Sequence, residues 1–325
     1  MTYYQTNYLL NILLKSVEIV CEGKISIYST FPREVVKSLY SDYEEVDSVV
    51  HADVIISDIS GVDEEFFKMI KYELDDFALF LVLDTILDIS INPELTRRFY
   101  LEGIIASYLP IDNGVTIYTR RGYGLAFQKL SREVYCKSLL NGIYPIDFNT
   151  AKFLYAITKF ILNRKRSYVL EIGRGYGFST MWIAHAVMET GGFLLSIDNK
   201  CDNQDYIYDT LKKVLLHNHV DLICADAKDY RIPVNDIVLV FIDGKKSEYL
   251  KYLENIEDHL AEGAIIVAHN TVSHTHELKD YLERVYTPPN KSITMLTDPG
   301  GITITYFEKT RRKDREKELY KISSS

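Results

Sequence analysis

Cysteine, proline and tryptophan are scarce in this chain, at 4, 8 and 1 of 325 residues. The cysteines Cys21, Cys136, Cys201 and Cys224 form no C-x-x-C pair and no dense framework. That excludes a disulfide-stapled scaffold and a cysteine-rich zinc module, and leads us to expect free thiols in a reducing compartment. Positive charge is in deficit too: 37 Lys and Arg against 46 Asp and Glu leave a net charge of −9. A surface of that balance does not suit broad phosphate-backbone binding. The two short basic runs, Arg164-Lys165-Arg166 and Arg311-Arg312-Lys313, read as solvated faces. Long apolar runs are missing as well. Stretches such as 77–83 fall far short of the roughly 20 residues of a membrane helix. The first fourteen residues hold no Lys or Arg, are broken by Asn7 and Asn11, and read as a partly buried helix instead of a signal peptide. The expectation is a soluble cytoplasmic protein.

What is present is an ordinary globular mixture, 47% hydrophobic and 26% charged over 325 residues, enough for two domains or one large one. From about residue 145 onward, helical and strand patterns alternate. Asp147 or Asn149 can cap a helix running to Leu162, and a strand follows over 168–172. The pattern continues with a helix over 179–188, a strand over 193–197, a helix near 207–216 and a strand over 221–224. A strand over 237–242, a helix over 248–260 and a strand over 264–268 complete it. Strands rich in Val, Ile and Leu are those of a parallel sheet buried on both faces. The end differs: strands over 292–297 and 302–307, joined by Asp298-Pro299-Gly300-Gly301, predict an antiparallel hairpin.

The first half echoes this order. The segment 52–58 resembles the strand ending at Asp243, 80–85 resembles 265–271, and 114–118 resembles 301–305. From Asp58 to Asp84 is 26 residues against 27 from Asp243 to Asn270, and from Asp84 to Gly114 is 30 against 31 from Asn270 to Gly301. Three matched strands in one order suggest a degenerate duplication. Between residues 17 and 52 there is room for strands at 17–20 and 24–28 and one helix, without a glycine-rich loop, so no cofactor is expected there. A helix over 125–140, stopped by Asn141-Gly142, connects the halves.

Glu171-Ile172-Gly173-Arg174-Gly175-Tyr176-Gly177-Phe178-Ser179-Thr180 joins a strand to a helix. Glycines allow a tight turn and close backbone approach, and a helix N-terminus offers free N–H groups to an anion. Asp198 ends the next strand, where it can accept from both hydroxyls of a ribose. Asp226 and Ala227 follow the third strand, beside the place of an adenine. The segment 169–184 (VLEIGRGYGFSTMWIA), with Ser196-Ile197-Asp198, Ala225-Asp226-Ala227 and Phe241-Ile242-Asp243-Gly244, resembles class I S-adenosylmethionine (SAM)-dependent methyltransferases. More narrowly, it resembles the catechol and caffeoyl-CoA O-methyltransferases.

The resemblance covers about residues 143–309. It implies an α/β fold, a doubly wound Rossmann-like sheet with a C-terminal antiparallel strand, preceded by a smaller degenerate α/β domain of similar type. The divisions expected are 1–124, the connecting helix 125–142, the methyltransferase domain 143–310 and a charged tail 311–325. It further implies that Glu171, Gly173 and Gly175 line the methionine part of SAM and that Ser179 lies near its carboxylate. Asp198 then holds the ribose, Asp226 and Ala227 border the adenine, and Asp243 closes the site. Arg174 departs from the small residue usual in such loops and must point away or meet an acid.

The same family pairs an Asp with a Lys three residues on and an Asp-Asn about 27 residues later. Asp243, Lys246 and Asn270 match this; His269 does not. A divalent metal would lower a hydroxyl pKa and orient the acceptor, and a lysine would take the proton. Imidazole in place of a carboxylate changes the metal preference, so three readings stay open. One is an altered metal held by Asp243, His269 and Asn270, with His274 or His276 as a further ligand. Another is metal-free catalysis with Lys246 or His269 as base, and the third is loss of catalysis. Tyr144, Tyr176, Tyr249 and Tyr252 flank the segments where an aromatic acceptor would stack.

The function expected is O-methylation of a small, aromatic-hydroxyl type acceptor, with or without a divalent metal. The alternatives are an RNA or protein methyltransferase, or a retired methyltransferase fold acting as a binding scaffold. Neither nucleic acid nor membrane is an expected partner. The first half reads as an internal pseudo-dimer partner within a monomer, or the chain as a homodimer.

Overall fold

The computed structural model describes residues 4–21, 24–49, 52–58, 64–73, 78–83, 97–162 and 166–309. Residues 84–85 of the internal echo, Arg164-Lys165 and the tail 311–325 lie outside the described residues. Two sheets organise the chain. The first contains β1 (Ile25–Ser29), β2 (Tyr43–Glu45), β3 (Val54–Asp58), β4 (Leu79–Leu83), β5 (Ile104–Leu109) and β6 (Val115–Arg120), in the spatial order β2-β1-β3-β4-β6-β5.

The second contains β7 (Tyr168–Ile172), β8 (Phe193–Asp198), β9 (Val220–Cys224), β10 (Ile237–Ile242), β11 (Leu260–His269), β12 (Lys291–Met295) and β13 (Ile302–Phe307). Their order is β12-β13-β11-β10-β7-β8-β9, parallel except for β13, which runs antiparallel to both neighbours. In each sheet the chain's last strand inserts antiparallel between the penultimate strand and the parallel core. Aligned from β1 on β7, the two orders coincide except that β9 has no counterpart among the described residues of the first sheet.

The helices are α1 (Tyr4–Cys21), α2 (Arg33–Leu39), α3 (Glu64–Glu73), α4 (Leu125–Leu140), α5 (Phe148–Leu162), α6 (Phe178–Thr190), α7 (Gln204–Lys213), α8 (Tyr249–Ile256) and α9 (Lys279–Tyr286). The strand expected at 17–20 is a correction: these residues continue α1. Val17, Ile19 and Val20 are β-branched and suggest a strand, but Leu9, Leu10, Leu13, Leu14 and Val17 recur at helical spacing and are buried. Tertiary burial outweighs the local β preference. This face packs on β11, where Ser16 Oγ donates to the Gly263 carbonyl at 2.6 Å.

The first helix therefore covers the second sheet. In return α5 lies against β5 and β6, and one continuous apolar core runs through both halves. A separate aromatic cluster of Phe66, Phe67, Phe80, Phe99 and Tyr118 packs within the first half. The connecting helix α4 docks through Phe127, set edge-on to Trp182 with ring centroids 5.3 Å apart. Beside it, Lys159 donates to the Arg120 carbonyl at 2.9 Å and pairs with Glu189 at 2.7 Å. Burying that ammonium is tolerated because both partners are supplied within the fold.

Candidate active site

The carboxyl ends of β7, β8, β9, β10 and β11 surround a cavity of about 580 Å³, within the range of small-molecule and cofactor sites. The loop after β7 forms its floor. Gly173 has φ +90°, and a Cβ there would lie 2.4 Å from the Asp243 carbonyl oxygen. Only glycine lets β7 and β10 close so tightly at this point. Helix α6 then begins at Phe178 behind a left-handed Gly177.

The acid at the end of β7 lies below the cavity, away from its wall. Glu171 is fully buried and accepts from Ser179 Oγ at 2.5 Å, Thr180 Oγ1 at 2.6 Å and Ser196 Oγ at 2.6 Å. Burial pushes its carboxyl upward in pKa despite these three hydroxyls. Its position braces the loop and engages the hydroxyl of Ser179, a residue that also lines the cavity.

Arg174 is settled in the same way. Its guanidinium is buried and donates to the Ser196 and Ile223 carbonyls, both at 2.8 Å, and to Gln204 Oε1 at 3.3 Å. It ties the ends of β8 and β9 to α7 and presents no cation to the cavity centre. Close by, Cys201 and Cys224 form a disulfide with Cα atoms 5.6 Å apart, which corrects the expectation of free thiols throughout. The register places Asp198 opposite Cys224, so the loop after β8 passes within bonding distance of the end of β9. Cys136 is free and exposed.

Asp198 lines the cavity, where Oδ2 accepts from the Gly175 N–H at 3.0 Å and Oδ1 from the Lys200 N–H at 2.8 Å. Each oxygen retains a lone pair for a further donor. Asp226 and Ala227 also line the wall, with the Asp226 carboxylate paired to Lys228 at 2.6 Å. Of the four tyrosines singled out, Tyr144, Tyr176 and Tyr252 face the cavity, whereas Tyr249 is buried in the core and donates to the His269 carbonyl at 3.2 Å.

At the other end, Asp243, Lys246, His269 and Asn270 come together. Asp243 Oδ1 accepts from Lys246 Nζ at 3.0 Å and from Asn270 Nδ2 at 2.8 Å, and Oδ2 lies 3.3 Å from His269 Nδ1. Asn270 adopts φ +62°, a left-handed geometry that asparagine tolerates, which turns its amide back over the aspartate. Lys246 also donates to the Gly244 carbonyl at 3.2 Å, and it lines the cavity together with Asp243 and Asn270. His269 sits one layer deeper, its side chain only 7% exposed.

Behind it lies Asp298, which the sequence presented only as part of a turn. His269 Nε2 meets both Asp298 oxygens at 3.0 Å, and Asp298 is held further by Thr150 Oγ1 at 2.9 Å and the Gly300 N–H at 2.8 Å. Burial works against charge on the His269 ring, but the Asp243 and Asp298 carboxylates outweigh it and raise the pKa to about 9. Burial likewise opposes ionisation of Asp298, yet His269, Thr150 and the Gly300 N–H bring its carboxyl down to about 2. Asp243 is also lowered, with His269 and then Lys246 overcoming burial.

This donor arrangement does not fit a divalent cation. An ammonium and an amide N–H already occupy one Asp243 oxygen. Asn270 turns its nitrogen inward, and each ring nitrogen of His269 faces a polar neighbour, Asn270 Nδ2 at 2.8 Å and Asp298 at 3.0 Å. Among the described residues no three His, Cys, Asp or Glu side chains are grouped to hold a metal ion. His274 lines the cavity but bonds to Ser273, and His276 is exposed.

The strand order of the second sheet, its antiparallel last strand and the cavity at the glycine loop define a class I methyltransferase fold. Residues 170–271 match the family model described as a methyltransferase domain, and the chain resembles the SAM-dependent enzymes of that class. Cofactor-bound Rv0187 from MTB is similar over 57% of this chain and 90% of its own, at 19% identity and a TM-score of 0.50. SAH-bound PaMTH1 of Podospora anserina is similar over 58% of this chain and 90% of its own, at 15% identity and the same TM-score of 0.50. No curated protein matches the sequence. Among the described residues no helix is long and apolar enough to cross a membrane.

Proposed function

We propose that the second half binds SAM and methylates an oxygen of a small hydroxyl-bearing acceptor. The observation that carries this reading is convergence: Asp198, the Gly173–Gly175 loop and the Asp243–Lys246 pair all open onto one cavity. The cavity fits the cofactor chemically, with an acid whose free lone pairs suit a ribose diol and a close-packed glycine turn. Bound there, SAM would supply a sulfonium methyl for in-line displacement by an acceptor oxygen, with sulfur keeping the bonding pair.

Gly173 and Gly175 let the backbone approach the methionine portion, and the α6 N-terminus offers its carboxylate unpaired N–H groups. Ser179 acts through its backbone and through Glu171, because its hydroxyl is already given to that acid. Ala227 borders the adenine with Asp226. Lys246 has two of its three N–H bonds engaged by Asp243 and the Gly244 carbonyl. The third would face the acceptor oxygen and favour its oxyanion, the hydroxyl proton having passed to bulk water before the attack. Tyr144 and Tyr176 also line the cavity, and an aromatic lining suits a phenolic acceptor. The matching strand orders support reading the first half as a degenerate copy of the second, without a cofactor loop of its own.

The test is calorimetric titration of the folded protein with SAM, followed by transfer of labelled methyl to a panel of phenols and catechols. Asp198→Ala should weaken SAM by more than about 1 kcal/mol, because an ionised acceptor is lost. Asp243→Ala should abolish turnover while sparing SAM affinity. Absence of saturable binding by the folded wild type would reject the reading.

A further inference from the structure

We propose that this site works without a divalent cation because the His269 ring fills the space between Asp243 and Asp298. The inference deepens the methyltransferase reading, but its central claim concerns metal binding and can be tested without turnover. Three observations on different elements carry it. The ring, from the end of β11, touches both carboxylates, at 3.3 Å through Nδ1 and 3.0 Å through Nε2. It thereby bridges two part-buried acids, one just after β10 and one from the β12–β13 hairpin, as a bound cation would.

Other atoms of the cluster are engaged as well. Asn270 Nδ2 lies 2.8 Å from both Asp243 Oδ1 and His269 Nδ1, and Lys246 Nζ reaches the same Asp243 oxygen at 3.0 Å. An ion at Asp243 would have to displace an ammonium, and one at His269 would have to part Nδ1 from Asp243 or Nε2 from Asp298.

Finally, the hairpin backbone crowds the ring. A Cβ on Gly300 would stand 2.8 Å from His269 Nε2, 3.0 Å from Asp298 Oδ1 and 3.1 Å from Asn270 Oδ1. The hairpin backbone is thus pressed onto the ring, and only glycine permits it. In this arrangement His269 and Asp298 are positioning residues. They hold the Asp243 carboxylate at the angle that orients Lys246 toward the cavity, a task a metal–ligand cluster would otherwise perform.

The experiment is a Mn²⁺ titration of the full chain, read by loss of the free-ion paramagnetic resonance signal, with Asp243→Ala as the control. Wild type should take up no Mn²⁺ that Asp243→Ala removes. Saturable, Asp243-dependent uptake by wild type would overturn the proposal. His269→Asp should gain saturable, Asp243-dependent uptake of one Mn²⁺ per chain where wild type shows none. Should that variant fail to fold, His269→Ser serves instead, since it empties the space and leaves Asp243 and Asp298 facing each other. If the folded variant gains no Mn²⁺, the ring is not what excludes the ion and the proposal falls. Loss of SAM binding by wild type would reject the methyltransferase reading and leave the metal result standing.

Discussion

Raising the pH from 6.5 to 9.5 tests the electrostatics around His269. In the folded protein the ring has a pKa of about 9 because two carboxylates outweigh its burial, whereas an unfolded histidine titrates near 6.5. A raised pKa contributes stability that is complete below the unfolded value and is lost as pH climbs through the folded one. A difference of about 2.5 units corresponds to about 3 kcal/mol, since each unit is worth about 1.4 kcal/mol. The lowered values of Asp298 and Asp243 report the same attractions from the other side and add nothing on the alkaline limb. Urea unfolding at a series of pH values, followed by far-ultraviolet circular dichroism, measures the loss directly. His269→Asn, close in shape and unable to ionise, should lack the slope over this window. Equal slopes in the two proteins would refute the argument. They would show a neutral ring, with Nδ1 accepting from the Asn270 amide 2.8 Å away and Nε2–H donating to Asp298.

Other parts of the site yield further expectations. Gly173→Ala places a methyl 2.4 Å from the Asp243 carbonyl at φ +90°, so it should lose about 2 kcal/mol of stability and most SAM affinity; an unchanged melting curve and isotherm would contradict this. Cys201→Ser opens a loop of sequence separation 23, whose closure entropy is worth about 3 kcal/mol, and reductant should mimic it in wild type. Denaturation midpoints that ignore both treatments would show the bridge to be energetically idle. Arg174→Met strips two buried carbonyls of their donor, which should cost about 2 kcal/mol and would be disproved by an unchanged urea midpoint.

Much of the second half was legible because its signals are local. Strands such as 168–172, 237–242 and 302–307 are short apolar runs between turn residues, and the structure has them at those bounds. The glycine loop announced itself by spacing. What sequence could not show is direction. Glu171, Ser179 and Arg174 belong to the motif, but whether they face the cavity depends on burial against Ser196, Ile223 and Gln204, residues far along the chain. Asp298 was hidden for the same reason. In sequence it opens a Pro-Gly-Gly turn, and only the antiparallel insertion of β13 carries that turn over the end of β11. The Cys201–Cys224 bridge likewise depends on β8 lying beside β9.

The first half illustrates a different limit. Its echo of the second was read from three strands, and the sheet orders agree, but the reading of 17–20 as a strand failed because α1 buries its apolar face on β11, outside its own half. Residues that answer to the other half's packing cannot be read from their own neighbourhood. The same reach operates in the opposite direction at the site. The Tyr108 N–H donates to Asn149 Oδ1 and the Tyr108 carbonyl accepts from Asn149 Nδ2, both at 2.8 Å, so β5 of the first sheet grips the start of α5. The next residue, Thr150, donates to Asp298, which holds His269 against Asp243. Four contacts therefore connect an edge strand of the first half to the carboxylate that orients Lys246. The first half is thus hydrogen-bonded, through α5, to a site that none of its described residues lines.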